Sequence, residues 1–202
     1  VEKIKKIGQG GFGEVWSATL NKHTTVAMKI LNDERNENKL VEILKEVEIM
    51  EKVRHPKLMH FYGFSQDENK RTMISDIALG GDLDKLLHSE NKPKILNTID
   101  RIEIIKDVAL GIQGFHSKNF VHRDIKPGNI LLIDKITEDS KIITAKLADY
   151  GSAYHLKSEL HKYIMESDDE FECQSYHQGT VQYAPPEILI ADLKQLTTKA
   201  DI

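Results

Sequence analysis

The sequence predicts an α+β chain of two lobes, the first rich in strands and the second in helices. Three observations carry this. Residues 1–31 alternate short β-branched stretches with turn residues, the mark of strands and hairpins. A single amphipathic helix follows, its apolar residues recurring at helical spacing. Beyond Gly80-Gly81 the pattern turns mostly helical.

In chain order, Ile4 to Ile7, Val15 to Ala18 and Thr24 to Leu31 read as strands. Lys39 to Val53 reads as a helix with Leu40, Ile43, Leu44, Val47 and Met50 on one face, stopped by His55-Pro56. Leu58 to Phe64 and Thr72 to Leu79 are two further strands. Asp82 caps a short helix to His88. Thr98 to Ser117 is a long helix capped by Asn97 or Thr98, expected to bury the stripe Ile102, Ile105, Val108, Ala109 and Ile112. Val121, Ile130 to Ile133 and Ile142 to Leu147 are short strands, and Ala148 to Gln178 is polar and irregular. The expected division is residues 1–79 and residues 80–202, with a ligand cleft between them.

The 202 residues carry 28 Lys and Arg against 32 Asp and Glu, a net charge of −4, with 40% apolar and 30% charged residues. That balance is globular rather than disordered. It gives no electrostatic reason to expect nucleic acid or membrane contact. The lone Cys173 excludes an internal disulfide and a cysteine zinc site, and fits a reducing, cytoplasmic compartment.

Gly8-Gln9-Gly10-Gly11-Phe12-Gly13 has the spacing of a phosphate-binding loop, in which glycine lets backbone N–H groups reach phosphate oxygens. A plain hairpin turn explains it equally well. A dinucleotide turn shares the spacing, and Asp33 sits where its ribose acid would be, but that fold needs a helix straight after the glycines. Here Glu14-Val15-Trp16-Ser17 favours a strand. Lys29 lies inside the apolar strand Val26 to Leu31, either snorkelling from an edge or holding phosphates. On the helix 39–53, Glu46 falls at the edge of the apolar arc, where a carboxylate is costly unless paired, so it is expected to pair with Lys29, with Glu42 as runner-up. The most specific run is Val121-His122-Arg123-Asp124-Ile125-Lys126-Pro127-Gly128-Asn129, followed by Ala148-Asp149-Tyr150-Gly151, Gly179-Thr180 and Tyr183-Ala184-Pro185-Pro186-Glu187.

Together these motifs resemble the eukaryotic protein kinases over essentially the whole chain. Tyr150 in place of Phe, and the insert Asp134 to Ile143, resemble the tyrosine-kinase-like group and its leucine-rich-repeat and Roco kinases. The resemblance implies a bilobal kinase fold and transfer of the γ-phosphoryl group of ATP to serine or threonine hydroxyls of a protein. It implies that Asp124 accepts the hydroxyl proton, that Asn129 and Asp149 hold Mg²⁺, and that Lys29, fixed by Glu46, grips the α- and β-phosphates. Lys126 would meet the γ-phosphate, as in serine/threonine kinases. Gly8, Gly10 and Gly13 would cover the phosphates. Val15, Ala27 and Leu131 would sandwich the adenine, and Asp76 and Ala78 would offer backbone groups to it. A small Ser75 implies a roomy back pocket. His122 would support the backbone at Asp149, and the Tyr150 hydroxyl would need a partner that biases this segment. Arg123 implies a phosphorylated switch among Ser158, Ser167, Ser175 and Tyr176, with Ser175 or Tyr176 preferred.

In kinases the residue matching Asp201 opens a buried helix that anchors the catalytic loop. The chain therefore reads as part of such a domain, with an incomplete second lobe, apolar surface left open under Ile104, Ile105 and Leu131, and weak stability and activity as cut. Two rivals stay open: an ATP-binding scaffold without transfer, and a nucleotide-dependent oxidoreductase built on the glycine turn.

Overall fold

The computed structural model describes residues 1–10, 13–31, 37–67, 70–90, 96–140, 142–158, 179–189, 194 and 196–202. Three hairpin-forming strands open the chain: β1 (Glu2–Gly10), β2 (Gly13–Leu20) and β3 (Thr24–Leu31). They are followed by α1 (Glu37–Lys52), β4 (Phe61–Asp67) and β5 (Lys70–Ser75). The five strands form one antiparallel sheet in the order β1-β2-β3-β5-β4. Alternation along β3 sorts its side chains. Val26, Met28 and Ile30 enter a small core with Ala18 and Trp16, so Ala27 and Lys29 face the opposite side.

The second part holds β6 (Gly81–Asp82), α2 (Leu83–His88), α3 (Thr98–His116), β7 (Phe120–Val121), β8 (Ile130–Leu132), β9 (Ala145–Leu147) and β10 (Tyr154–His155). Asp82 caps α2 through the Lys85 N–H. Asn97 and Asp100 cap α3 reciprocally, each side chain accepting from the other's backbone N–H. β6, β8 and β9 form a small sheet, and β10 pairs with β7.

The main core crosses between the two parts. Val47 and Met50 of α1, Leu58, Met59 and Met73 pack with Phe115, Phe120, Leu147 and Tyr150. The crossing is pinned by backbone: Leu147 donates to the Lys57 carbonyl at 2.9 Å and accepts from the Met59 N–H at 3.0 Å. This pairing shortens the expected strand at Leu58, which joins β9 through a bridge to Leu147 while β4 begins only at Phe61. β5 likewise ends at Ser75, because the Asp76 N–H turns to the His60 carbonyl.

The expected stripe on α3 holds at Val108 and Ile112 and is corrected at its other positions. Ile102 and Ile105 are 57% and 67% exposed, and Ala109 is exposed too. The buried face is Asp100, Ile104, Asp107, Val108, Gly111, Gly114 and Phe115. Apolar residues lie on both sides of this helix, and close approach decides which side faces inward. A Cβ at Gly111 would sit 2.9 Å from the Lys57 carbonyl oxygen, and one at Gly114 would sit 2.9 Å from the His55 Cβ. Of the surface expected to be left open, Ile104 is covered at 4% exposed and Leu131 is half-buried, while Ile105 is exposed. Among the described residues no helix is long and apolar enough to cross a membrane.

Alanine normally stabilises a helix interior over glycine by roughly 1 kcal/mol. Gly111→Ala is expected to reverse that sign, lowering Tm by about 2–4 °C in thermal denaturation. A raised Tm would contradict the close packing described.

Candidate active site

A cleft of about 540 Å³ lies between the sheet and the second part. Lys29 and Glu46 line it from one side, and Asn129, Leu131, Ala148 and Asp149 from the other. Each is placed by its element. Lys29 is on the face of β3 away from Met28 and Ile30, and Glu46 is on α1. Asn129 ends the 3-10 turn Pro127–Asn129, and Asp149 follows β9 by two residues. The structure thus brings Lys29, Glu46, Asn129, Leu131 and Asp149 together around one cavity. Asp124 and Lys126 sit beside it, bonded to Asn129 and to each other. Val15 and Ala27 are outside that lining, next in register to Lys29 and Ser75.

Burial pushes the Glu46 carboxyl up from its ordinary range; the Lys29 charge and the Tyr150 backbone N–H pull it down, and Asp149 pushes it up again. Lys29 therefore acts on Glu46, as the helix wheel suggested, and the runner-up Glu42 has its side chain outside the described residues. So do Ser167, Ser175, Tyr176 and the tip of the glycine turn at Gly11-Phe12.

Asp124 is held from several directions. Its Oδ2 meets Lys126 Nζ at 2.7 Å and the Asn129 Nδ2 at 2.8 Å, and its Oδ1 accepts the Thr180 N–H at 2.8 Å. Burial alone would raise its pKa, but these bonds more than offset it, and the carboxyl is held below its ordinary value. Lys126 Nζ also reaches Thr180 Oγ1 at 2.5 Å. Asn129 spends Nδ2 on Asp124, on the main-chain oxygen as well as Oδ2, which leaves its amide oxygen as the atom open to a cation.

The loop carrying Asp124 hangs on Asp201. That carboxylate accepts from the His122 N–H at 2.8 and 3.0 Å, from the Arg123 N–H at 2.8 Å, and pairs with His116 Nε2 at 2.9 Å. Arg123 needs the support, because its φ of +66° is the left-handed region that non-glycine residues avoid. Asp149 is in the same region at +65°. Fully buried His122 bonds the Ala148 carbonyl at 3.0 Å through Nε2 and accepts the Asp124 N–H at Nδ1. Burial pushes its pKa down, so the ring is neutral, and it ties together the neighbours of the two strained residues, Asp124 and Ala148. Gly179 passes so close that a Cβ would lie 2.6 Å from the Arg123 carbonyl oxygen, and its φ of +119° suits glycine alone.

Tyr150 is fully buried against Phe115 and His122, with ring centroids at 5.1 and 6.0 Å. Its hydroxyl donates toward the carbonyls of Leu147 (3.0 Å) and Met59 (3.3 Å), so the expected partner is backbone from both parts. Ser75 lines the cleft with Met50, Met59 and Met73 behind it. Asp76 holds more than a main-chain position. Its carboxylate accepts from the His60 N–H at 3.0 Å, the Tyr62 hydroxyl at 3.1 Å and Lys146 Nζ at 2.5 Å. No motif or spacing in the chain marks this cluster, or the 2.6 Å pair between Lys57 and buried Asp107. An aspartate between Ile104 and Val108 on a buried face was the available signal.

Comparison with known proteins agrees with this geometry. The model of the protein kinase domain matches residues 1–202, and the chain belongs to that family. It is 34% identical over 92% of its length to calcium-dependent protein kinase 4 of Plasmodium falciparum. It is 32% identical over 98% to calmodulin-binding receptor-like cytoplasmic kinase 3 of Arabidopsis thaliana. It is 27% identical over its whole length to the human tyrosine-protein kinase FRK. The chain spans 32–36% of the length of these relatives. The fold is the bilobal kinase fold, with a sheet-rich first part.

Replacing Asp201 with Ala strands the backbone N–H groups of His122 and Arg123. At about 1–3 kcal/mol for each buried unsatisfied donor, Asp201→Ala should destabilise the chain by about 2 kcal/mol or more in chemical denaturation. A loss below about 0.5 kcal/mol, the level of an ordinary surface change, would show that the loop is held otherwise.

Proposed function

We propose that the cleft binds Mg²⁺–ATP and transfers its γ-phosphoryl group to a serine or threonine hydroxyl of a protein. The observation that carries this reading is the convergence of Lys29, Glu46, Asn129 and Asp149 on one cavity, with Asp124 at its edge. The donor set suits magnesium: an exposed carboxylate at Asp149 and an amide oxygen at Asn129, with room for phosphate oxygens, match a hard cation that favours oxygen and keeps few protein ligands. When bound, the metal would neutralise charge on the phosphates. The chain's own groups position the reactants and accept the proton. Lys29, oriented by Glu46, holds the α- and β-phosphates. Asp124, kept ionised by its bonds, accepts the proton of the attacking hydroxyl. Lys126 exchanges its bond to Thr180 for the γ-phosphate. In such a loose transition state, placement and charge supply most of the catalysis.

Leu131, Val15 and Ala27 enclose the adenine in this reading, and Asp76 and Ala78 offer main-chain groups. Gly8, Gly10 and Gly13 cover the phosphates. In the same reading the chain divides into lobes at residues 79 and 80, with these groups on either side of the cleft. Serine/threonine specificity is supported by Lys126 and its Thr180 partner, and relatives include both a tyrosine-protein kinase and serine/threonine-protein kinases. Tyr150 and the insert 134–143 support placement near the leucine-rich-repeat and Roco kinases. Arg123 favours a phosphorylated switch in the segment that follows, and the single cysteine favours a reducing compartment.

Asp124→Asn should abolish phosphate transfer to matched serine, threonine and tyrosine peptides, by about a hundredfold or more. The parent should label serine and threonine over tyrosine. Full retention in Asp124→Asn would remove Asp124 from the chemistry, and nucleotide binding without transfer by the parent would point to the scaffold reading instead.

Glu46 offers a second, sharper separation. A carboxyl whose pKa is raised on folding destabilises the folded state above that pKa, and the penalty disappears as pH falls below its unfolded value. Glu46→Gln should therefore keep Tm at pH 7 equal to or above the parent, while lowering the turnover rate about tenfold or more. A lower Tm with unchanged turnover would make Glu46 a structural residue.

A further inference from the structure

We propose that Lys57 is a positioning residue for phosphoryl transfer, and that its ion pair with Asp107 sets the spacing between Glu46 and Asp149. The inference rests on the kinase reading above. Lys57 closes a ring of three bonds. Its carbonyl accepts the Leu147 N–H at 2.9 Å, its Nζ meets Asp107 Oδ1 at 2.6 Å, and Asp107 Oδ2 accepts the Ala145 N–H at 3.0 Å. A backbone bond between the 57–59 segment and β9 leaves that contact free to pivot about the bond line. A side-chain bond to a third element, α3, removes the freedom.

The elements so joined are the ones that carry the site. α1 ends at Lys52, its last turn closed by the Val53 N–H, and leads within five residues to Lys57. β9 leads within two residues to Asp149. On the third side, Gly111 and Gly114 let residues 55–57 lie against α3 with no Cβ between. Asp107 is 3% exposed, a carboxylate buried with Lys57 as its cation. A buried charge is a poor way to gain stability compared with a hydrophobic substitute. It is a good way to fix a distance, because the pair tolerates little displacement. Rotation of the 55–58 segment would move the whole of α1, and with it the Glu46 carboxylate, relative to Asp149.

The test uses the full-length chain and three variants. The double variant Lys57→Met with Asp107→Asn leaves no buried charge alone, and its amide oxygen still accepts the Ala145 N–H. It should keep its Tm within about 4 °C of the parent. Its kcat should fall about tenfold or more, with KM for the peptide unchanged. Amide exchange at Met59 and Leu147 should quicken. Lys57→Arg should hold kcat within about threefold, since an arginine can pair the same carboxylate. Parental kcat in a folded double variant would overturn the proposal. Should the double variant not fold, Lys57→Gln serves, with a kcat loss expected and an unchanged kcat overturning. If the parent itself transfers no phosphate, the kinase reading fails, and exchange decides this inference alone: unaltered protection at Met59 and Leu147 overturns it, faster exchange supports it.

Discussion

The backbone pairing of Leu147 with Lys57 and Met59 is the contact on which the site depends. It is made between chain segments 88 residues or more apart, and it is flanked on both sides by the parts of the cleft. On the Lys57 side the chain comes from α1 and Glu46. On the Leu147 side it runs on to Ala148 and Asp149. Two hydrogen bonds of ordinary length therefore decide whether a carboxylate on a helix and a carboxylate after a strand share a cavity. Packing reinforces the choice, because Val47, Met50, Leu58, Phe115, Leu147 and Tyr150 belong to one core. Hydrophobic burial draws the segments together without direction, and the ladder supplies the register.

A second constraint acts through charge. Arg123 and Asp149 both hold left-handed backbone, which non-glycine residues adopt at some cost. The strain persists because Asp201 takes the N–H groups of His122 and Arg123, while the neutral His122 ring bridges to the Ala148 carbonyl. Asp124, between them in the chain, is kept anionic by Lys126, Thr180 and Asn129. In the role proposed for Asp124, a base for proton transfer must be ionised and aimed, and the same bonds serve both needs. The sign of the two carboxyl shifts separates their roles. Asp124 is stabilised as an anion, whereas burial disfavours the Glu46 anion by more than Lys29 relieves.

Much of this was legible before any coordinates. Strands and helices announced themselves through β-branched runs, helical spacing and the caps at Asp82 and Asn97, because those signals are local. Lys29 and Glu46 were legible for the same reason: a charge in an apolar pattern needs an explanation. The face of α3 was not legible. Hydropathy ranks Ile102 and Ile105 above Asp107 and Gly111, yet the buried side was chosen by how closely residues 55–57 could approach and by a partner for Asp107. The Asp76 cluster escaped for a related reason. His60, Tyr62 and Lys146 meet it only after the sheet and β9 have assembled, and no spacing in the chain records that meeting.

The proposed chemistry requires Asp149 and Asn129 to present oxygen to a metal carried by a nucleotide facing Lys29. Calorimetric titration of the full-length chain with ATP, in magnesium and then in excess chelator, tests it most directly. Tighter binding with magnesium is expected, and loss of that difference in Asp149→Asn with the metal-free affinity unchanged. Equal affinity in both conditions for the parent, or an undiminished magnesium effect in the variant, would contradict it.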